Sequence, residues 1–236
     1  MNCSAIVLAA GSGKRMGTAI KKQYLEIKGM PVLAYSLRRF DRQPFIREII
    51  LVTSPEEIDY CRTEIVEKFG IHKVKNIVAG GKERCNSVYE GLKACSETEY
   101  VFIHDGARPF LSDEVLDRLY KDVQLYKACI AAVPAKDTIK VADESRNIID
   151  TPDRSRLWQA QTPQAFSLSL IRECYRRALE EEAAGLTDDA SCVEYCKKGS
   201  VHLTEGSYDN LKITTPEDLP VAEILCDAYR YSNGGW

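Results

Sequence analysis

The chain has 236 residues, 44% hydrophobic and 28% charged, enough to bury a sizeable core in one large domain or two small ones. Lys and Arg number 32 against 35 Asp and Glu, a formal net charge of −3, without the broad basic field that nucleic acid or an anionic membrane surface demands. No apolar run reaches the ~18 residues of a membrane span. The short apolar stretch from Ala5 to Ala10 after Met1-Asn2-Cys3-Ser4 does not read as a signal peptide, so a cytoplasmic location is expected, with neither nucleic acid nor membrane as partner.

Ser4 to Ala10 reads as a buried strand that opens onto a Gly-rich loop, and a helix is expected from about Pro31 to Phe40. Glu48 to Thr53 is a second strand. Ser54-Pro55-Glu56-Glu57 then starts a helix, with Ser at the cap and Pro at the first position. Val88, Leu92 and Cys95 recur at helical spacing within Arg84 to Cys95. Tyr100 to His104 is a compact strand, Ser112-Asp113-Glu114 opens another helix, and Cys129 to Val133 is again a strand. Strands separated by helices of this length imply right-handed crossovers and an α/β fold, its mostly parallel sheet covered by helices on both faces.

From about Lys136 to Thr162 the rhythm breaks. Thr138-Ile139-Lys140-Val141 and Ile148-Ile149-Asp150 alternate and are polar, with a turn near Asp143 to Asn147. This predicts an extended β-arm that leaves the sheet, either a dimer contact or an ordinary surface hairpin. Helices resume at Ser167 to Ala184 and Asp188 to Cys196. The last one runs from Thr215-Pro216-Glu217-Asp218, with Pro at its first position, to about Tyr231, before a frayed tail. With no repeat, low-complexity segment or linker, residues 1–236 read as one domain. The nine cysteines are irregularly spaced within apolar patterns, which points to reduced, buried thiols. Cys192 and Cys196 lie four apart on a helix, but no further ligand completes a zinc site, and there are only three histidines.

The first strand runs into Ala9-Ala10-Gly11-Ser12-Gly13-Lys14-Arg15-Met16-Gly17, beyond the carboxyl end of a strand, where open parallel sheets bind ligands. It is neither a Walker A loop nor a dinucleotide fingerprint, since Met16 stands where the third Gly would be. Lys14, Arg15, Lys21 and Lys22 beside small residues suggest a polyphosphate cradle, the alternative for any one of them being solvated surface charge. In His104-Asp105-Gly106-Ala107-Arg108-Pro109, a carboxylate ends a buried strand and needs a partner or a metal such as Mg²⁺. A turn cap is the plainer reading of Asp105, weakened by a second carboxylate, Asp209, near a later strand. His104 reads as structural. Gly80 and Gly81 before a helix, with the Ser87 hydroxyl, either read the edge of a heterocycle or form a simple turn.

Taken in order, these segments are similar to the 2-C-methyl-D-erythritol 4-phosphate cytidylyltransferases of the non-mevalonate isoprenoid pathway. Carrying the resemblance are the first loop, Lys22-Gln23-Tyr24, Gly80-Gly81 with Arg84 and Ser87, His104 to Pro109 and Lys136 to Lys140. Leu157 to Gln164, Thr187 to Ser191 and Lys212 to Leu219 continue it, so that it spans the chain from first strand to last helix. It implies a Rossmann-like nucleotidyltransferase fold, a homodimer formed through the arm at about 136–156, and use of CTP with Mg²⁺ or another divalent cation. By motif, Ala9, Ala10, Gly11, Gly80, Gly81 and Ser87 would hold cytidine; Arg15 and Lys22 the triphosphate and transition state; Asp105 the metal; and Lys212 phosphate at the reaction centre. Arg108, Thr138, Arg154 and Asp209 would contact the polyol phosphate. A ribitol-5-phosphate cytidylyltransferase shares the reaction, and pocket contacts separate such substrates. A non-catalytic nucleotide-binding protein is a remoter alternative, because it would usually lose Arg15, Lys22 or Asp105. A metal-dependent glycosyltransferase would show Asp-x-Asp where this chain has Asp105-Gly106-Ala107.

Overall fold

The computed structural model describes residues 2–11 and 21–232. Strand β1 (Cys3–Leu8) leads to a 3-10 turn at Lys22–Tyr24, the short hairpin β2 (Glu26–Ile27) and β3 (Met30–Pro31), and helix α1 (Val32–Arg42). Strand β4 (Ile46–Thr53) is followed by an irregular helical stretch, a 3-10 turn at Pro55–Glu57, α2 (Ile58–Tyr60) and π-helical residues Cys61–Glu67. Then come β5 (Val74–Ala79), α3 (Arg84–Ala94), β6 (Tyr100–Asp105), α4 (Asp113–Tyr126) and β7 (Ala128–Pro134). The arm holds β8 (Val141–Ala142) and β9 (Ile148–Asp150); β10 (Trp158–Ser167), α5 (Leu168–Glu180), α6 (Asp189–Cys196), β11 (His202–Glu205) and α7 (Asp218–Ser232) complete the chain.

Seven strands form one sheet in the order β11-β7-β10-β6-β1-β4-β5. All its pairings are parallel except those of β10, which runs antiparallel to both β6 and β7. Parallel strands covered on both sides read as unbroken apolar runs, and β1 is such a run, buried from Cys3 to Val7. Helix α1 packs one face with Val32, Leu33, Leu37 and Phe40; α3 and α5 pack the other with Val88, Leu92, Ile171 and Tyr175. Each such side chain contributes ~1.5–3 kcal/mol by leaving water. From β1 the chain moves outward through β4 to β5, then returns to place β6 on the other side of β1. This reversal opens a crevice beyond the carboxyl ends of β1 and β6, the position where such sheets hold ligands.

The mostly parallel α/β sheet and the exposed arm agree with the expectation, while several elements differ. Residues 158–167, just beyond the arm, form the longest strand of the sheet, where no strand is expected from the pattern. Pro163 argues against a central strand, but it sits at an irregularity in the β10–β7 register, where no ladder donor is needed. The outermost strand β5 has no counterpart among the expected elements, and the later strand expected near Asp209 lies ahead of it, at β11. Ser54 stands at the N-cap position with Pro55 first in the helical stretch, as expected, but its side chain makes no cap bond: its hydroxyl bonds the Glu57 carboxylate and accepts from Lys21. The last helix begins at Asp218, not Thr215; Pro216 lies in the preceding turn, where the Asp218 carboxylate accepts the N–H groups of Thr214 and Thr215 at 2.7 and 2.9 Å. All nine cysteines are free thiols, eight of them buried and Cys85 half-buried.

Candidate active site

A cleft of about 370 Å³ occupies this crevice, lined by the β1 end at Leu8 to Gly11, by Lys22, by the turn and first residue of α3 at Gly81 to Arg84, and by Asp105 and Lys212. Its floor is fixed by backbone contacts. The Gly106 N–H donates to the Leu8 carbonyl at 2.9 Å, and a Cβ on Gly106 would come within 2.9 Å of that oxygen and 2.8 Å of Leu33 Cδ1. Gly80 is equally confined, since a Cβ there would meet Ala10 Cβ and Ser87 Oγ, both at 2.7 Å. The buried Gln23 side chain donates to the Ala9 carbonyl at 2.6 Å and to that of Gly11 at 3.3 Å, holding the strand end in place.

Asp105 is the electrostatic centre. Its carboxylate accepts from Lys212 Nζ at 2.6 Å, and Arg84 Nε lies 3.6 Å from its other oxygen. Burial alone would push this carboxyl up, but Arg84, Lys212 and Arg108 together hold it well below the usual carboxylate range. Arg84 in turn forks onto Asp189 at 2.7 and 2.8 Å. Burial opposes its charge, and Asp189 and Asp105 more than restore it. Behind Asp105, the Thr162 hydroxyl accepts the Asp105 N–H at 3.0 Å and lies 3.1 Å from His104 Nδ1. His104 Nε2 lies 3.1 Å from the Arg108 carbonyl, which can only accept, so Nε2 carries the proton and Nδ1 accepts from Thr162. Burial draws His104 down to about 4, leaving it a neutral strut, in keeping with its structural reading.

The site residues expected from sequence divide into three groups. Ala9, Ala10, Gly11, Gly81, Ser87, Lys22, Asp105 and Lys212 line the cleft, and Gly80 packs directly behind it. The Ser87 hydroxyl is occupied locally, donating to the Glu83 carbonyl and accepting the Gly81 N–H, both at 3.1 Å, so it shapes the turn. Arg108 lies at the edge of the site, its Nη1 on the Asn210 carbonyl at 2.7 Å and its Nε buried without a partner. Burial lowers its guanidinium, and nearby Arg84 adds to this while Asp105 opposes it. Thr138 and Arg154 are exposed on the arm, Arg154 donating to the Lys136 carbonyl at 2.9 Å, and neither lines the cleft of its own chain. Asp209 is exposed and does not line the cleft either. Arg15 and Lys14 lie outside the described residues.

The cationic cradle needs one correction. Lys21 does not line the cleft; it forms an ion pair with Glu57 at 2.9 Å and a bond to Ser54 Oγ at 2.9 Å. Arg84, Asp189, Gln164 and Thr162 were quoted only as parts of motifs, yet they organise Asp105. What joins them is tertiary contact: Arg84 and Asp189 are 105 residues apart. The Asp105 carboxylate is of the donor type that would suit a divalent cation. The carboxylate is a hard oxygen donor, and among the described residues no group of three or more His, Cys, Asp or Glu gathers to bind a metal alone. The remaining ligands would come from phosphate and water.

The family model for 2-C-methyl-D-erythritol 4-phosphate cytidylyltransferase matches residues 3–228. The protein of that name from Caldanaerobacter subterraneus subsp. tengcongensis is 52% identical over 227 residues, covering 95% of this chain and 99% of its own. Its namesake from Lachnospira eligens is 49% identical over 94% of this chain and 98% of its own. Among solved structures, the 4-diphosphocytidyl-2C-methyl-D-erythritol synthase of Anaerococcus prevotii superposes with a TM-score of 0.84 at 36% identity, covering 96% of both chains.

Proposed function

The chain belongs to the 2-C-methyl-D-erythritol 4-phosphate cytidylyltransferase family, and from that membership we propose how its residues carry out the family reaction. The enzyme transfers CMP from CTP to 2-C-methyl-D-erythritol 4-phosphate, giving 4-diphosphocytidyl-2-C-methyl-D-erythritol and pyrophosphate in isoprenoid precursor biosynthesis. The observation that supports the site assignment is the Asp105–Lys212 pair at the mouth of the β1/β6 crevice.

The phosphate monoester loses its second proton near pH ~6, so it is largely dianionic at pH 7 and needs no general base. His104, its Nε2 proton held on a carbonyl, offers none. A phosphate oxygen attacks the α-phosphorus of CTP, the bond to the β-phosphate oxygen breaks, and pyrophosphate leaves with that electron pair. The work left to the protein is to bring two polyanions together and meet the charge on the five-coordinate phosphorus. Arg15 of the first loop and Lys22 of the 3-10 turn that follows bind the triphosphate, and Lys212 meets the reacting phosphate. The main chain at Ala9 to Gly11 and at Gly80 and Gly81 receives cytidine, with Ser87 holding the second of these turns. Asp105 would hold Mg²⁺, or another divalent cation, which when bound neutralises phosphate oxygens.

The single domain works as a homodimer. Residues 136–151 are all exposed, including Ile148 and Ile149 at 63% and 64%, an apolar surface that needs a cover. The arm of one protomer covers the other's cleft and brings Thr138 and Arg154 to the polyol phosphate beside Arg108, with Asp209 at the same rim. Nine free thiols, eight of them buried, support a cytoplasmic location.

The test is pyrophosphate release with Mg²⁺ and CTP, offering methylerythritol 4-phosphate and ribitol 5-phosphate in parallel, with ATP and UTP as controls. Release with CTP and the first acceptor is expected. Preference for ribitol 5-phosphate would overturn the substrate assignment, and no release with either would overturn the enzyme.

A further inference from the structure

Behind the cleft, on the side away from any substrate, a buried carboxylate is held more completely than stability requires. Asp189, the first residue of α6, is 0% exposed and does not line the cleft. Its carboxylate accepts both fork nitrogens of Arg84 and the Tyr175 hydroxyl at 2.6 Å. Its own N–H and that of Ala190 donate to Gln164 Oε1 at 3.0 and 2.9 Å. The Gln164 amide nitrogen donates to Asp188 at 2.8 Å. Three elements, β10, α5 and α6, therefore set the direction of one guanidinium. Buried ion pairs of this kind are often matched or exceeded in stability by apolar side chains of the same volume. Of the five N–H groups of the Arg84 guanidinium two bind Asp189, and Nε lies 3.6 Å from the Asp105 carboxylate as an ion pair.

We propose that Asp189 is a positioning residue for the transfer reaction: acting through Arg84, it fixes the orientation of the Asp105 carboxylate at the cleft. This rests on the assignment of Asp105 to the reaction. The geometry works because a guanidinium has two usable edges at a fixed angle, so that holding the fork also aims Nε. With Asp189 in place, the fork charge is matched from behind and Arg84 keeps Nε beside Asp105 as an ion-pair partner. Without it, Arg84 is free to turn both fork nitrogens onto Asp105, in competition with Lys212 and whatever the carboxylate must bind.

The experiment is a double-mutant cycle of wild type, Asp189→Asn, Arg84→Lys and the pair. Melting is recorded for each, and kinetics are measured well below the lowest transition. Arg84→Lys keeps a cation for Asp189 but has no second edge, so it separates the ion pair from the aiming. Asp189→Asn should lower kcat by about 10–100-fold, as is usual when the partner of a site carboxylate or ligand is lost, with KM for CTP within about threefold. Its single-turnover rate with enzyme in excess should fall equally, which a smaller folded fraction would not cause. In the Arg84→Lys background, Asp189→Asn should add less than about twofold. Wild-type single-turnover rates in Asp189→Asn overturn the inference, as does a full additional loss in the pair. If Asp189→Asn does not fold, the folded pair matching Arg84→Lys in kcat still supports the coupling, and a further loss refutes it. Wild-type enzyme that releases no pyrophosphate overturns the reaction itself, an outcome distinct from either.

Discussion

Asp105 and Thr138 are both assigned to one reaction, yet their surroundings differ. Asp105 is gripped by Lys212 and Arg84 and, through its backbone, by Thr162, on three separate segments. Thr138 sits on a stretch in which every residue from 136 to 151 is exposed. The cleft is finished within one chain, because charges that face each other across desolvated space must be matched before the ligand arrives. The arm carries its groups outward with only exposed, local partners, Arg154 on the Lys136 carbonyl and Lys140 on the Thr151 hydroxyl. A phosphate-binding group needs rigidity where bonds break. It needs only reach where a substrate's far end is held.

If the cleft carries the chemistry, its cations should be worth the most. Lys22→Ala should lower kcat by about 10²–10³, equivalent to 2.7–4 kcal/mol, by analogy with loss of one transition-state donor. Melting should be nearly unchanged, since Lys22 lies on a short 3-10 turn anchored by the buried Gln23 and Tyr24. Near wild-type turnover would remove Lys22 from the mechanism and leave the comparison with only Asp105 and Lys212 on the cleft side.

The strut behind the cleft gives the next largest effect, and its readout is stability. His104 is drawn from 6.5 to about 4 by burial. As pH falls through 6.5 the unfolded chain takes a proton that the folded chain refuses until about 4. Stability tied to His104 is therefore complete above pH 6.5 and lost between there and 4, about 3 kcal/mol in all. Urea unfolding of wild type and His104→Gln across that window should show a shallower pH slope in the variant. Equal slopes would mean that the imidazole protonates in place.

The difference between the two regions also marks how far sequence reading reached. The crevice was legible because its signals are local: an apolar run, a Gly-rich continuation and an acid at a strand end. The arm was legible because its alternation breaks the α/β rhythm. Lys21 was misjudged because it stands just before the 3-10 turn in extended backbone while Lys22 opens the turn, so that adjacent lysines meet different surroundings. One faces the cleft and the other Glu57. Residues 158–167 were missed because buried Gln161, Thr162 and Gln164 look like loop chemistry until their partners are known. Gln164 is satisfied by the start of α6, and Thr162 by His104 and Asp105, contacts with no sequence period. The Arg84–Asp189 pair was hidden for the same reason.

The arm offers the smallest single effect and the sharpest geometric test. An arginine hydrogen bond to a charged partner is worth ~1.5–3 kcal/mol, so Arg154→Ala should cost roughly ten- to a hundredfold in kcat/KM for the polyol phosphate. The loss should fall mainly on KM, because Arg154 holds the substrate away from the breaking bond. Its present bond to the Lys136 carbonyl is exposed, and losing it should barely move the melting temperature. If Arg154 serves its own chain, mixing Arg154→Ala with Lys212→Ala protein restores nothing, since every cleft keeps one defect. If it serves the partner, each mixed dimer has one doubly damaged site and one intact site. Equimolar exchange then yields half mixed dimers, and about a quarter of wild-type activity should return. Recovery that requires subunit exchange would place the arm in the neighbouring cleft. Its absence, with mixed dimers demonstrated, would assign Arg154 to the cleft of its own chain and leave the arm no part in its neighbour's.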